Sequence, residues 1–273
     1  MKAAASYGYT TFRYDRLGTG LSETPSNGFD VSQAPTEISI LKSFVTTLRQ
    51  TSIIGGKKWA KVVGVGHSYG SIQTQAVSAS NPDLYDAVIL QGFSADATNL
   101  VNYLQSGTYS IARDTLPDHL SDKPPVWLVA GSVAAAQIGF YYYPHYDPGV
   151  FALARQTEQP VTPGSLFTVA NANFPAIGFD KPVLLVLGDK DFIFAGADAY
   201  TNINGLTIPE EVQPLLYPNV TDFEIFIPAH TGIVQLLCFP CISLKYLGHA
   251  VNQHYSAPQS YSKMIQFLSL HQF

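Results

Sequence analysis

The chain has 273 residues, 46% of them hydrophobic and only 13% charged, with a net charge of −5. That supplies one large core with room for an inserted subdomain. It argues against nucleic acid as a partner, since no basic stripe is present. No apolar run reaches the roughly 20 residues of a membrane span, and the first residues, Met1-Lys2-Ala3-Ala4-Ala5-Ser6-Tyr7, lack the apolar core of a signal peptide.

In chain order, residues 9–14 read as a strand ending in a glycine-rich loop, Asp15-Arg16-Leu17-Gly18-Thr19-Gly20-Leu21-Ser22. Ile38, Leu41, Val45 and Leu48 recur at helical spacing. Residues 62–65 predict a strand, followed by Gly66-His67-Ser68-Tyr69-Gly70 and a helix-like run from Ser71 to Ala79. Another strand covers residues 85–90 and ends at Gln91-Gly92-Phe93. Strands alternating with helices predict an α/β fold with a doubly wound, mostly parallel sheet. From about Ser94 to Asp180 the alternation breaks down in a stretch rich in Pro, Tyr and Ala, which includes Phe140-Tyr141-Tyr142-Tyr143. It reads as an inserted cap. The sheet resumes at Val183-Leu184-Leu185-Val186-Leu187, a last strand covers residues 223–227, and Tyr261, Met264, Ile265 and Leu268 stripe a closing helix. The expected organisation is therefore a core over residues 1–93 and 181–273 around a cap over 94–180.

Gly66-His67-Ser68-Tyr69-Gly70 is a G-x-S-x-G sequence in a strand-turn-helix context, which makes it a nucleophile elbow. Glycine on both flanks suits a turn too tight for bulky neighbours. The following helix offers its positive end to the Ser68 hydroxyl. A serine hydroxyl needs a base, and in an elbow the acid and the histidine follow it in chain order. Gly188-Asp189-Lys190-Asp191 lies just past the strand at 183–187. Asp191, further into the loop, is a better candidate than Asp189. Among seven histidines, His67 sits inside the elbow, where it packs or orients; His119 and His145 fall in the cap, and His271 in the tail. Of His230, His249 and His254, His249 is preferred because Gly248-His249-Ala250-Val251-Asn252 leads into the closing helix.

Cys238 and Cys241 form a lone C-x-x-C without a second ligand pair, a weak zinc or redox signal. Asn219-Val220-Thr221 is a glycosylation sequon that matters only in a secreted protein.

Taken in order, the glycine-rich loop, the elbow, Gly188-Asp189-Lys190-Asp191 and Gly248-His249 resemble the landmark motifs of the α/β-hydrolase superfamily. The phrasing around Tyr14, the elbow and Asn252-Gln253-His254-Tyr255 is most similar to secreted serine hydrolases of fungi. The resemblance implies that Ser68 attacks, His249 shuttles the proton, Asp191 holds the imidazole and the Tyr69 N–H serves the oxyanion. Members with an aspartate nucleophile are disfavoured by the serine at position 68. The implied activity is a carboxylesterase or lipase-like hydrolysis of an apolar ester, with water as second substrate and neither metal nor organic cofactor. An amidase or peptidase, a non-catalytic ligand-binding member and an inactive fragment are the alternatives. The compartment is extracellular only if a preceding segment carries a signal peptide.

Two departures from the superfamily pattern stand out. The strands that precede the one at 9–14, including the one whose loop donates the second oxyanion N–H, are expected to be missing. Residues 233–248 read as an insert, since eleven of the fifteen residues 233–247 are apolar or aromatic. Removing the sixteen residues joins Ala229-His230-Thr231-Gly232 to His249-Ala250-Val251-Asn252, so a retained intron is expected there, with an apolar lid over the site as the functional alternative and a merely buried loop as the remaining one.

Overall fold

The computed structural model describes residues 2–228 and 248–273. The expectations for His230, for Cys238 and Cys241, and for residues 233–247 of the insert lie outside the described residues.

Among the described residues, four parallel strands form the central sheet in the order β1 (Val63–His67), β2 (Ala87–Gln91), β3 (Val183–Val186) and β4 (Phe223–Phe226). The strands expected near 62–65, 85–90, 183–187 and 223–227 are all present, with shifted ends. β2 and β3 are buried at every position. They are paired on both sides and covered on both faces, which is why their sequences run apolar without alternating. Val88, Leu90, Val183 and Leu185 pack with Val45 of α1 (Ala34–Gln50) and with Ile72 and Val77 of α2 (Tyr69–Ser80). On the other face, Ala87, Ile89, Leu184 and Val186 meet Phe267 and Leu268 of the closing helix Ala257–Leu270. The sheet is therefore doubly wound, as the alternation predicts.

Residues 9–14 do not form the expected strand. Among the described residues, no backbone hydrogen bond joins them to a strand. Instead, Phe12 and Tyr14 set their rings 5.4 and 4.7 Å from Phe44 of α1. Strand propensity expresses fit to a neighbouring strand, so a Tyr/Thr/Phe run without a ladder keeps only its side-chain packing. Among the described residues β1 pairs with β2 alone, and Val65 is 51% exposed.

Between β2 and β3 the chain forms helices Leu100–Ser106, Val133–Phe140, Pro148–Gln156 and Pro163–Thr168, with a short ladder of Ser110–Ile111 on Leu128–Val129. Three of these helices begin on side-chain caps. Ser132, Asp147 and Thr162 each accept a backbone N–H of the first turn. Buried Trp127 gathers Ala112, Leu120 and Val129 into a small core of its own.

Arg49 ties the C-terminal end of α1 to the start of the sheet. Its Nε donates to the Leu84 carbonyl at 2.7 Å, Nη1 to the Ala60 carbonyl at 3.0 Å, and Nη2 pairs with Asp86 at 2.5 Å. The same Asp86 carboxylate accepts the Val62 N–H at 2.7 Å, so one side chain organises the entry to both β1 and β2. Lysine reproduces the charge but not the three-way fork. Arg49→Lys is expected to lower unfolding stability by about 1–3 kcal/mol, the scale of lost charge-assisted hydrogen bonds, measured by urea titration. An unchanged midpoint would show that the fork does not hold the sheet entry.

Candidate active site

The turn from β1 into α2 places Ser68 at φ 54°, ψ −121°, a left-handed conformation rarely adopted by a residue with a side chain. Close packing around the turn holds it there. A Cβ on Gly66 would lie 2.4 Å from the Gly70 carbonyl oxygen and 2.5 Å from the Ser71 nitrogen, so only glycine fits at 66. Position 70 differs from the sequence expectation: a Cβ there would meet nothing within 4 Å, because Gly70 faces a cavity rather than a neighbour. The Ser68 N–H donates to the Gln91 carbonyl at 2.8 Å, and the Ser71 hydroxyl bonds both the Gln91 carbonyl and its N–H, at 2.9 and 3.0 Å. These bonds pin the turn to the end of β2. Tyr69 opens α2, where the first N–H groups of a helix have no intrahelical acceptor.

Asp191 follows β3 and caps the short helix Phe192–Ala195. One carboxylate oxygen accepts the Phe194 N–H at 2.9 Å, and the other lies 2.7 Å from His249 Nδ1. Both side chains are fully buried. A carboxylate can only accept, so His249 carries its proton on Nδ1 and turns an acceptor nitrogen, Nε2, the other way. Nε2 is buried and has no hydrogen-bond partner among the described residues. The ring lies within 5.2–5.8 Å, centroid to centroid, of His67, Phe194 and Phe140. Gly92 gives it room, since a Cβ there would stand 2.9 Å from His249 Cε1. Asp189 is also buried, and the carboxylate oxygen 2.7 Å from His249 Nδ1 is that of Asp191. Ser68, Gly92 and Asp191 thus follow the C-terminal ends of adjacent parallel strands, and His249 is set against that edge. No hydrogen bond joins Ser68 to His249.

Two further histidines have roles that spacing does not reveal. His67 Nε2 lies 3.1 Å from the His249 carbonyl. Burial, reinforced by the neighbouring His249, lowers its pKa to about 4, so a neutral ring donates its Nε2–H there. His254 is also lowered to about 4, chiefly by burial. Its Nδ1–H donates to the Ala250 carbonyl at 2.7 Å, and its Nε2 accepts the N–H groups of Gly248 and Tyr142, each at 3.2 Å. The four-residue step back to Ala250 is a local signal that sequence could have offered. The 182-residue separation from His67 to His249 offers none. His119 bonds the Glu158 carbonyl, His145 stacks on Tyr142, and His271 faces Asp222. Among the described residues, Asp222, Glu224 and His271 bring three potential metal ligands together, but Lys263 already pairs with Glu224.

A cavity of about 420 Å³ opens above the turn, with Ser68, Tyr69 and Gly70 in its wall. That lies within the range of small-molecule sites. Tyr103, Tyr109, Phe140, Tyr141 and Phe151 of the 94–180 segment, with Ile193 and Phe194, make its lining largely apolar. Its cations are paired. Arg16 bonds the buried Glu37 at 3.0 Å and lies 4.9 Å over the Tyr69 ring, while Arg155 pairs with Glu158. Glu37 also accepts from Gln73 at 3.2 Å.

The two lowered histidines give stability a defined pH dependence. Between pH 6.5 and about 4 the unfolded chain takes up protons that His67 and His254 refuse in the fold. Their contribution is therefore complete above 6.5 and is lost as pH falls toward 4. The urea midpoint is expected to drop across that window, and His254→Gln is expected to flatten the drop. At the turn, Gly66→Ala should cost about 1–3 kcal/mol from forced backbone shifts. Gly70→Ala should leave the midpoint within about 0.5 kcal/mol, as a substitution into open space. Equal losses for the two alanines would contradict the assignment of Gly70 to the cavity.

A model of the alpha/beta hydrolase family matches residues 1–253. No curated protein sequence matches the chain. Among solved structures, the methylesterase protein MES16 from Arabidopsis is similar at TM-score 0.56 and 15% identity, over 98% of this chain and 91% of that one. A putative non-heme bromoperoxidase, BpoC, from Mycobacterium tuberculosis H37Rv has TM-score 0.56 and 16% identity, over 93% and 79%. Methylketone Synthase I from tomato, complexed with 2-tridecanone, has TM-score 0.57 and 10% identity, over 99% and 90%. At these identities the likenesses speak for the fold, and with the family match they place the chain: it belongs to the alpha/beta hydrolase family.

Proposed function

We propose that this protein is a serine esterase that cleaves an ester with an apolar acyl or alcohol part, using Ser68, His249 and Asp191, under a cap formed by residues 94–180. The observation that carries the reading is the fully buried Asp191–His249 contact of 2.7 Å at the sheet edge that also presents Ser68. In the reaction, Ser68 Oγ attacks the ester carbonyl carbon while its proton passes to His249 Nε2. The Tyr69 N–H faces the oxygen that becomes negative. Collapse of the tetrahedral intermediate breaks the bond to the leaving alcohol, which takes the proton from His249. Water then gives a proton to the same nitrogen and attacks the acyl carbon, and the acid leaves as Ser68 recovers its proton. Asp191 keeps the imidazole in the required tautomer and stabilises the imidazolium. Ser68 and His249 must come within hydrogen-bond reach on substrate binding, as such contacts often tighten only in the complex. The apolar cavity wall supports an uncharged substrate, and a methylesterase and metagenome-derived lipolytic enzymes are among the proteins of similar fold.

A second reading, a non-catalytic member that binds a ligand in the same cavity, is favoured by the absence of a hydrogen bond at His249 Nε2. One experiment separates the two. A fluorophosphonate should label Ser68, and the chain should hydrolyse short p-nitrophenyl esters. Ser68→Ala should abolish labelling and, with His249→Ala, lower turnover by about 10⁴–10⁶-fold, because triad members act as a unit. Asp191→Asn should cost about 10⁴-fold through the wrong tautomer. Absence of label and turnover in a folded chain favours the binding reading. Full activity in Ser68→Ala rules out the esterase mechanism.

A further inference from the structure

The segment 248–255 carries His249, and the bonds that hold it converge on one side chain. The ring of His254, which is 3% exposed, joins three backbone groups: the Ala250 carbonyl through Nδ1–H, and the Gly248 and Tyr142 amides through Nε2. Gly248 and Ala250 are the two neighbours of His249, and Tyr142 belongs to the cap. Around this junction the Ala250 N–H donates to the Phe140 carbonyl at 2.8 Å and the Tyr255 N–H to the His145 carbonyl at 3.2 Å. The Tyr141 hydroxyl bonds Gln253, and the Tyr141 ring stacks on the His254 ring at 5.7 Å. The backbones are in close contact, since a Cβ on Gly248 would stand 2.8 Å from the Tyr142 nitrogen.

We infer that His254 is a positioning residue, a clamp that fixes both neighbours of His249 and fastens their loop to the cap wall of the substrate cavity. This rests on the esterase reading for what His249 does. The clamp requires one state of the ring, neutral with the proton on Nδ1, because two amides donate to Nε2 and a protonated Nε2 would oppose them. The surroundings favour that state. The titratable groups facing the ring are Tyr141, Tyr142, His145 and Tyr146 of the cap, His249 of its own loop, and Asp191 after β3. Burial drives Tyr141 up to about 12 and raises Tyr146, so both are neutral, and Asp191 is engaged by His249. Phe140 and Tyr141 line the cavity while their segment bonds the loop, so the clamp sets the base relative to the wall that holds the substrate.

Three variants test the clamp. Glutamine places an oxygen where Nε2 accepts, asparagine retains a donor near Nδ1 but no acceptor at Nε2, and alanine removes both. On p-nitrophenyl butyrate, His254→Ala is expected to lower kcat by about 10²-fold with little change in KM, the scale of a misplacement of about 1 Å. His254→Gln should recover most of that loss, and His254→Asn should not. Amide exchange at Gly248 and Tyr142 should be fast in the alanine and asparagine variants and slow in the glutamine variant, a reading that needs no turnover. If alanine fails to fold, the glutamine–asparagine pair decides the matter. Native kcat and exchange in His254→Ala, or equal defects in glutamine and asparagine, would overturn the clamp, as would failure of all three to fold. Ser68→Ala runs alongside. Undiminished hydrolysis there refutes the esterase reading, whereas a dead Ser68→Ala with an unaffected His254→Ala refutes the clamp alone.

Discussion

The buried carboxylate of Asp191 is the constraint on which the rest of the site depends. A charge with no solvent must be met by donors, and among the described residues it has two, the Phe194 N–H and the His249 ring. Removing either partner from such a pair leaves a desolvated charge, typically at a cost of about 3–5 kcal/mol. The bond to Phe194 turns the carboxylate into the cap of the helix that follows it. The bond to His249 fixes the tautomer of the imidazole and the direction of Nε2. Surrounding features serve the same contact. Gly92 leaves room for the ring, Phe140 and Phe194 exclude water from it, and His67 holds its backbone carbonyl.

The order of the sheet brings this contact to the edge that also carries Ser68. β1, β2 and β3 are neighbours and run the same way, so Ser68, Gly92 and Asp191 emerge at one edge from three adjacent strands. Loops beyond the carboxyl ends of parallel strands are where such sheets place their ligands. The two inner strands are buried throughout, and rigid packing there fixes the spacing of the residues that follow them.

Much of this was legible in the sequence because its signals are local. The apolar runs at β2 and β3 and the glycine-flanked serine after β1 mark strand ends without reference to the rest of the chain. Residues 9–14 carry an equally good strand signal, yet they form no ladder, because a strand is defined by a neighbour that the segment itself cannot specify. Gly70 illustrates the same limit at smaller scale. A glycine beside a tight turn reads as relief from a clash, and only the packed structure separates Gly66, which avoids one, from Gly70, which opens onto the cavity. His67 remained obscure because its partner is a backbone carbonyl 182 residues away, and His254 showed only its local step to Ala250, not its bond to the distant Tyr142 N–H.

The cavity's charges constrain what kind of molecule the esterase reading admits. Arg16 and Arg155 both reach the lining, which at first sight suits an anionic substrate. Each, however, is already matched, Arg16 by Glu37 with Gln73 behind it, and Arg155 by Glu158. The second pair also grips Ala130, with the Arg155 Nη2 donating to its carbonyl at 2.7 Å and Glu158 accepting its N–H at 2.8 Å. Recruiting Arg16 for a substrate carboxylate would strip the buried Glu37 of its counter-charge, and recruiting Arg155 would break the pair of the partly buried Glu158 that holds Ala130. The pairs therefore act as neutral fixtures of the wall. On the esterase reading, selection would then fall to the aromatic lining and to the open space beside Gly70, a wall suited to uncharged, apolar groups.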